Sequence, residues 1–361
     1  MKYDFTSILD RRGKDAVAVD AVGAPGSSYP APREGFDVIP MWVADMNFPV
    51  VPTVQQAMIA RAEHPAFGYF DPPAEYYDSI IRWQEDHNGV TGLKPEHIGY
   101  ENGVLGGVIS ALNVLCSKGD NVLLHSPTYI GFTHCLTDNG YHIVHSPLTK
   151  DEQGVWRMDF ADMEKKIVEN HIHAAIFCSP HNPCGRVWER REVEQAMALY
   201  APSKTFNLAG LVGSYHIIYN SWLRDRCDKE GSLSHYNAMN VMSMHALLGA
   251  YKPEGCEWVE ELRQVITGNV DFACDYIAQH FNGVEVSRPQ GTYMLFLDCE
   301  KWLTAHGKTM DELLAAGWDV GVVWQDGRAF HGQTHIRMNL ALPLSRVQEA
   351  FRRLDTYVFN A

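Results

Sequence analysis

The sequence predicts an α/β protein with one large and one smaller domain, on three observations. Short apolar runs ending in polar tips alternate with stretches of helical periodicity, the pattern of a largely parallel sheet with helices on both faces. Glycines crowd the start of one helix, and a tyrosine and an asparagine stand at the tips of two strands, where open α/β sheets bind ligands. The 361 residues exceed one small domain and suit a large unit plus a second.

Composition narrows the function. With 46% hydrophobic and 20% charged residues, the chain is of ordinary globular type. Lys+Arg 30 against Asp+Glu 44 gives −14, which argues against a general phosphate-backbone binder, so no nucleic-acid partner is expected and an anionic ligand needs a local pocket. The eight cysteines form no CxxC pair and no metal-finger spacing; they read as reduced thiols, and no metal is expected. No apolar run reaches the length of a membrane span and the N-terminus shows no signal-like apolar core, so no membrane partner and a cytoplasmic location are expected.

In chain order, residues 1–40 are rich in Gly, Pro and charge and read as an arm. VIPMWVADMNF (Val38 to Phe48) is apolar with a single acid, Asp45, which fits either a capped strand end or the edge of a substrate pocket. Pro52 to Arg61 reads as a helix, AFGYFDPP (Ala66 to Pro73) as an aromatic loop, and Tyr76 to Asn88 as an amphipathic helix. Tyr69 in that loop either packs within a monomer or, in a dimer, reaches a neighbouring site. In Ile98 to Asp120, helical spacing begins at a turn holding Gly103, Gly106 and Gly107. Small residues there leave backbone N–H groups free to hold an anion, or simply let the helix approach the sheet.

NVLLHSPTY (Asn121 to Tyr129) is a strand whose carboxyl end carries Tyr129, an aromatic able to stack on a planar ring. A helix (Ile130 to Asn139), the strand YHIVHSPL and a helix from Asp159 to Asn170 follow. AAIFCSPHNPCGRVW (Ala174 to Trp188) repeats the strand-and-tip pattern with Asn182, either a plain Asn-Pro turn or a hydrogen-bond donor to a ring oxygen. Arg190 to Met197 reads as helix and runs without a turn residue into APSKTFNLAG (Ala201 to Gly210). Lys204 there is either a turn lysine or an amine that loses its charge readily and condenses with an aldehyde. Leu211 to Asn220 is a strand, Asn220 to Cys227 and Ser243 to Leu248 are helical, and Glu257 to Phe281 is a long amphipathic pattern that links the domains. VSRPQGTYMLFLDC and the two strands within GVVWQDGRAFHGQTHIRMNLAL belong to the smaller domain, with Arg337 on the last; Arg328 and His331, in the loop before it, are either solvated or line the pocket.

Taken together, WVADM (42–46), FGY (67–69), NGVLGG (102–107), SPTY (126–129), SPHNPCGRVW (179–188), APSKTFNLAGL (201–211) and HIRMNLALP (335–343) resemble the cystathionine β-lyase branch of the fold-type I pyridoxal-phosphate superfamily, among the class I/II aminotransferases. The resemblance runs in order over nearly the whole chain. It implies pyridoxal 5'-phosphate as cofactor and Lys204 as the lysine that carries it. Gly103, Val104 and Leu105 would cradle the phosphate, with Ser203 as a further contact. Tyr129 would stack on the ring, Asn182 would meet its 3′-oxygen, and Arg337 would bind the substrate carboxylate. Tyr69 would reach the phosphate of a second subunit, which implies a homodimer. The implied divisions are an arm with part of the small domain at 1–45, a cofactor-binding domain at 46–262, and a small α+β domain at 263–361.

The implied reaction is β-elimination from S-substituted cysteines to a thiol, pyruvate and ammonia, the alternative within the class being transamination. One departure matters. Members of the branch carry, before the lysine strand, a further strand whose Asp pairs with the pyridine nitrogen. Here Asn182 and Lys204 are only 22 positions apart, and no Asp or Glu stands between Glu194 and Asp225. The sequence therefore has an apparent deletion between Met197 and Ala198 of roughly 30 residues, the size of one strand-and-crossover unit. An interior strand would be lost from the sheet, which makes a catalytically defective cofactor-binding variant a further alternative. Asn47, where the branch often has Asp, is a smaller departure.

Overall fold

The computed structural model describes residues 1–189, 198–233 and 237–360. The expected α/β alternation is present, with a difference in the sheet. Strands Asn121–Ser126, His142–Pro147 and Ala174–Ile176 form a parallel three-stranded sheet with the first in the middle. Strands Ile98–Glu101, Ser214–Ile217 and Ala198–Tyr200 form a second, antiparallel, with Ser214–Ile217 in the middle. Among the described residues no ladder joins the two, so the single largely parallel sheet expected from the sequence is two half-sheets. Ala174–Ile176 is an edge of the first and Ala198–Tyr200 an edge of the second, and the apparent deletion between Met197 and Ala198 falls between these two strands in sequence. The half-sheets share apolar packing: Ala174 and Ile176 from one and Leu199 from the other lie against the cluster of Val108, Leu112, Val122 and Leu124. Gly107 lies close against this packing: a Cβ there would sit 2.7 Å from Leu199 Cδ2, which would have to shift.

A third sheet, from Glu285–Val286, Met294–Asp298, His335–Asn339 and Gln325–Asp326, is antiparallel and carries Arg337 opposite Phe296. Its inner face packs with Ile277, Phe281, Leu313 and Phe351 in one large apolar cluster. A second large cluster joins Phe5, Phe48, Ile80, Phe206, Tyr215 and Trp258. The helix Pro253–His280 runs through both, giving Trp258 and Leu262 to one and Val270, Ala273 and Ile277 to the other. Its 28 residues make it about 42 Å long, enough to span two units.

The helices differ from the sequence expectation mainly at their ends. Helix Asn220 to Cys227 extends as Ser221–Ser232, and Ser243 to Leu248 as Val241–Ala250, because Asn220 and Asn240 cap their first turns through their side chains. The strand expected over Leu211 to Asn220 shortens to Ser214–Ile217, since Val212 takes a left-handed φ of 52°. The helix expected from Arg190 to Met197, and its join to Ala198, lie outside the described residues.

Candidate active site

The segment Trp42 to Asn47 is the backbone on which the site is assembled. It is a run of bends that belongs to no strand ladder, so its polar groups need other partners. Arg337 Nη2 donates to Trp42 O at 2.9 Å, and Asn339 Nδ2 to Val43 O at 2.7 Å and Asp45 O at 2.5 Å. Lys204 Nζ donates to Ala44 O at 2.8 Å, and Tyr293 Oη donates to the same oxygen at 3.1 Å. Asn207, held at φ 57°, accepts from Met46 N and donates to Met46 O. The Asp45 side chain pairs with Arg11 of the N-terminal arm, whose Nη1 also donates to Asn47 Oδ1 at 3.0 Å.

Lys204 sits in the short helix Pro202–Thr205 directly after the strand Ala198–Tyr200. Part of its side chain meets solvent, yet the protein packed around the amine lowers its pKa; desolvation is the main cause, Asp45 opposes it and Arg337 adds to it. The arrangement makes the amine easier to deprotonate than an ordinary lysine, which is the change a nucleophilic lysine needs.

Arg337 is 3% exposed. Its Nη1 donates to Asn182 Oδ1 at 3.3 Å, its Nη2 also to Gln325 Oε1, and its guanidinium lies 4.4 Å over the Phe330 ring. Nε is buried with no hydrogen-bond partner. Burial pulls its pKa down to about 10 against the opposing influence of Tyr129, Tyr293 and Tyr29. A buried cation with an unused donor suits an incoming carboxylate, which restores both charge balance and the missing hydrogen bond.

Two strand-end loops meet this arginine. His181 Nε2 donates to Pro127 O at 2.8 Å, tying the Asn182 loop to the Tyr129 loop, and Thr128 N donates to Phe330 O at 3.0 Å. Tyr129 shares an apolar cluster with Val104 and Leu105, the first turn of the helix Gly103–Leu115. That turn has no side-chain cap, as is also true of the helices Pro52–Ala62 and Ala74–Asn88. Asp159, Asn220, Asn240 and Thr309 cap their helices through their side chains, whereas Asn102, also a capping residue type, makes no such bond. The leading N–H groups of the helix are thus left to an anion, and Gly103 at φ 77° gives the turn its shape.

The structure thus gathers Lys204, Tyr129, Asn182 and Arg337, with Gly103, Val104 and Leu105 behind Tyr129. Ser203 makes no side-chain contact with this group among the described residues, although its carbonyl accepts from Leu208 N at 2.9 Å. Tyr69 stands apart, fully exposed, on a loop where Phe67 and Phe70 are exposed as well. Arg328 is held by Asp326 and Asp311, and His331 is exposed, as solvated loop residues. Sequence reasoning missed Tyr293, Tyr29, Asn207, Asn339, Gln325 and Arg11. Burial raises the pKa of Tyr293, with Asp45 adding and Arg337 opposing; it pushes Tyr29 up to about 12. Asn207 and Asn339 lay within the motifs quoted around Lys204 and Arg337 and were the findable ones.

Residues 37–202 match the family model described as aminotransferase class I and II. Over those residues the chain is similar to this family. It is 27% identical to cystathionine β-lyase PatB of Bacillus subtilis, over 88% of this chain and 92% of that protein. Cystalysin of Treponema denticola, in a crystal structure containing pyridoxal 5'-phosphate, superposes with a TM-score of 0.87 at 25% identity over 98% of each chain. The pyridoxal-phosphate-bound C–S lyase of Staphylococcus hominis does so at 0.84 and 26%, again over 98% of each. These matches agree with the fold-type I architecture read from the motifs. No helix among the described residues is long and apolar enough to cross a membrane.

Proposed function

We propose that this protein is a pyridoxal-phosphate-dependent carbon–sulfur β-lyase acting on cystathionine-like S-substituted cysteines. The observation that carries the reading is the lysine–arginine pair on one backbone segment: the Lys204 amine on Ala44 O beside the buried Arg337 guanidinium on Trp42 O, whose Nε lacks a partner. Lys204 would hold the cofactor covalently, Tyr129 would cover its ring, Asn182 would meet the 3′-oxygen, and Gly103, Val104, Leu105 and Ser203 would receive the phosphate. When bound, the cofactor supplies a ring that draws off the electron pair left at the substrate Cα. Arg337 binds the substrate carboxylate and so fixes Cα. The Lys204 amine, freed when the substrate amine takes its place, would remove the proton from Cα, and the thiolate on Cβ would depart. With one water consumed, the products are a thiol, pyruvate and ammonia.

Two finer points belong to this reading. The exposed aromatic loop around Tyr69 is the surface on which a second copy would dock, with Tyr69 reaching that copy's phosphate; the units at 46–262 and 263–361 then form one half of a homodimer. Neither edge strand, Ala174–Ile176 nor Ala198–Tyr200, carries an acid to pair with the ring nitrogen. Loss of such a group costs about 3 kcal/mol of transition-state stabilisation, on the order of 10²-fold in rate. Slow turnover is therefore expected. Pyruvate release from cystathionine without a keto-acid acceptor tests the reaction; amino-group transfer that requires an acceptor would replace it with transamination.

A further inference from the structure

The turn between the strand Ile98–Glu101 and the helix Gly103–Leu115 is held from behind by one side chain far away in sequence. Asn237 Oδ1 accepts from Asn102 N at 2.6 Å, and its Nδ2 donates to Tyr100 O at 2.9 Å and to Glu101 Oε2 at 2.9 Å. Glu101, 1% exposed, is held in turn by His216 Nδ1 at 2.7 Å on Oε1 and by Ser110 Oγ at 3.3 Å on Oε2, while Ser214 Oγ donates to its carbonyl at 3.1 Å. The polar groups of residues 100–102 are thus satisfied from the protein side, by Asn237 above all. That frees the next N–H groups, at 103–105, to face outward without competition from within.

Resting on the phosphate role proposed for Gly103, Val104 and Leu105, we infer that Asn237 is a positioning residue for cofactor binding: it fixes the turn whose N–H groups meet the phosphate, and touches no reacting atom. An amide is the side chain that does this, because it presents an acceptor to Asn102 N–H and two donors to the oxygens on either side. Asp keeps only the acceptor and sets a second carboxylate against Glu101.

The test compares binding of pyridoxal 5'-phosphate and of pyridoxal, which lacks the phosphate, by absorbance titration of wild type, Asn237→Ala, Asn237→Asp and Gly103→Val. Thermal melting of the apoproteins is followed alongside. With Asn237→Ala the affinity for pyridoxal 5'-phosphate should fall about tenfold or more, the scale of one lost hydrogen bond, while that for pyridoxal stays within about twofold. Asn237→Asp should lose at least as much. An equal loss for both ligands, a collapse of the apoprotein melt that accounts for the loss, or no loss at all overturns the inference. If Gly103→Val separates the two ligands while Asn237→Ala does not, the phosphate site stands and the role of Asn237 falls. If neither variant separates them, the phosphate site at Gly103 falls and takes this inference with it.

Discussion

At Lys204 the chemistry depends on charge state. Its amine is lowered from the ordinary 10.5, chiefly by desolvation. The folded chain therefore binds that proton less tightly than the unfolded chain. The sign follows: between the lowered value and 10.5, wild type gains stability with rising pH relative to Lys204→Met, and covalent capture of an aldehyde by Lys204 is half complete below the ordinary lysine range. Borohydride trapping across a pH series checks the second statement, and thermal melts of both proteins check the first. Lys204→Ala should cut turnover by roughly 10²–10⁴-fold as a lost proton-transfer group, before the loss of covalent attachment is counted. Arg337→Gln keeps the size of the residue while removing its charge. The expected result is a KM for amino-acid substrates higher by about 10–100-fold, the worth of a charged hydrogen bond, with a smaller change in kcat. Steady-state kinetics with a saturable substrate resolves the two.

Elements place these residues by short, crowded contacts, and the turn after Asn182 shows how closely. Gly185 has φ 67°, and a Cβ there would lie 2.4 Å from Pro289 Cβ and 2.8 Å from Gly291 O. Its carbonyl accepts from Gln290 N and Gly291 N, so this turn joins the parallel sheet to the Arg337 sheet. Gly185→Ala should destabilise by about 1–3 kcal/mol, read as a lowered denaturation midpoint. Gly210→Ala, where a Cβ meets nothing within 4 Å and no positive φ is required, should stay within about 0.5 kcal/mol. At this scale the sequence was most legible where a motif is local. The apolar run Asn121–Ser126 leading into Tyr129, and the glycines opening Gly103–Leu115, announce their elements because period and punctuation lie within a few residues. Tyr293 binds Ala44 across 249 positions, and Asn237 binds Asn102 across 135. Nothing near either residue encodes those contacts, which exist only once tertiary packing has formed.

On the scale of the whole molecule, the family resemblance implied an absent strand-and-crossover unit, and the structure has two half-sheets where a single largely parallel sheet was expected. Two half-sheets end at Ala174–Ile176 and Ala198–Tyr200, held together by apolar packing through Leu199 and not, among the described residues, by a shared ladder. Such a join leaves the Lys204 segment less braced than a continuous sheet would, since side-chain packing tolerates small shifts that a hydrogen-bond ladder resists. The net charge of −14 sets no obstacle, because the cations that matter are local: Lys204 and Arg337 at the site, and Arg11 over Asp45 at its edge. The central claim is that Lys204 anchors an aldehyde cofactor with which this chain cleaves a carbon–sulfur bond. The direct measurement is an absorbance titration of wild type and Lys204→Ala with pyridoxal 5'-phosphate, followed by cystathionine and assay of pyruvate without a keto acid. The expected result is a visible band in wild type that is lost in Lys204→Ala, and slow pyruvate release by wild type alone. A wild type without the band, a band that survives in Lys204→Ala, or no pyruvate from the loaded wild type would contradict the claim.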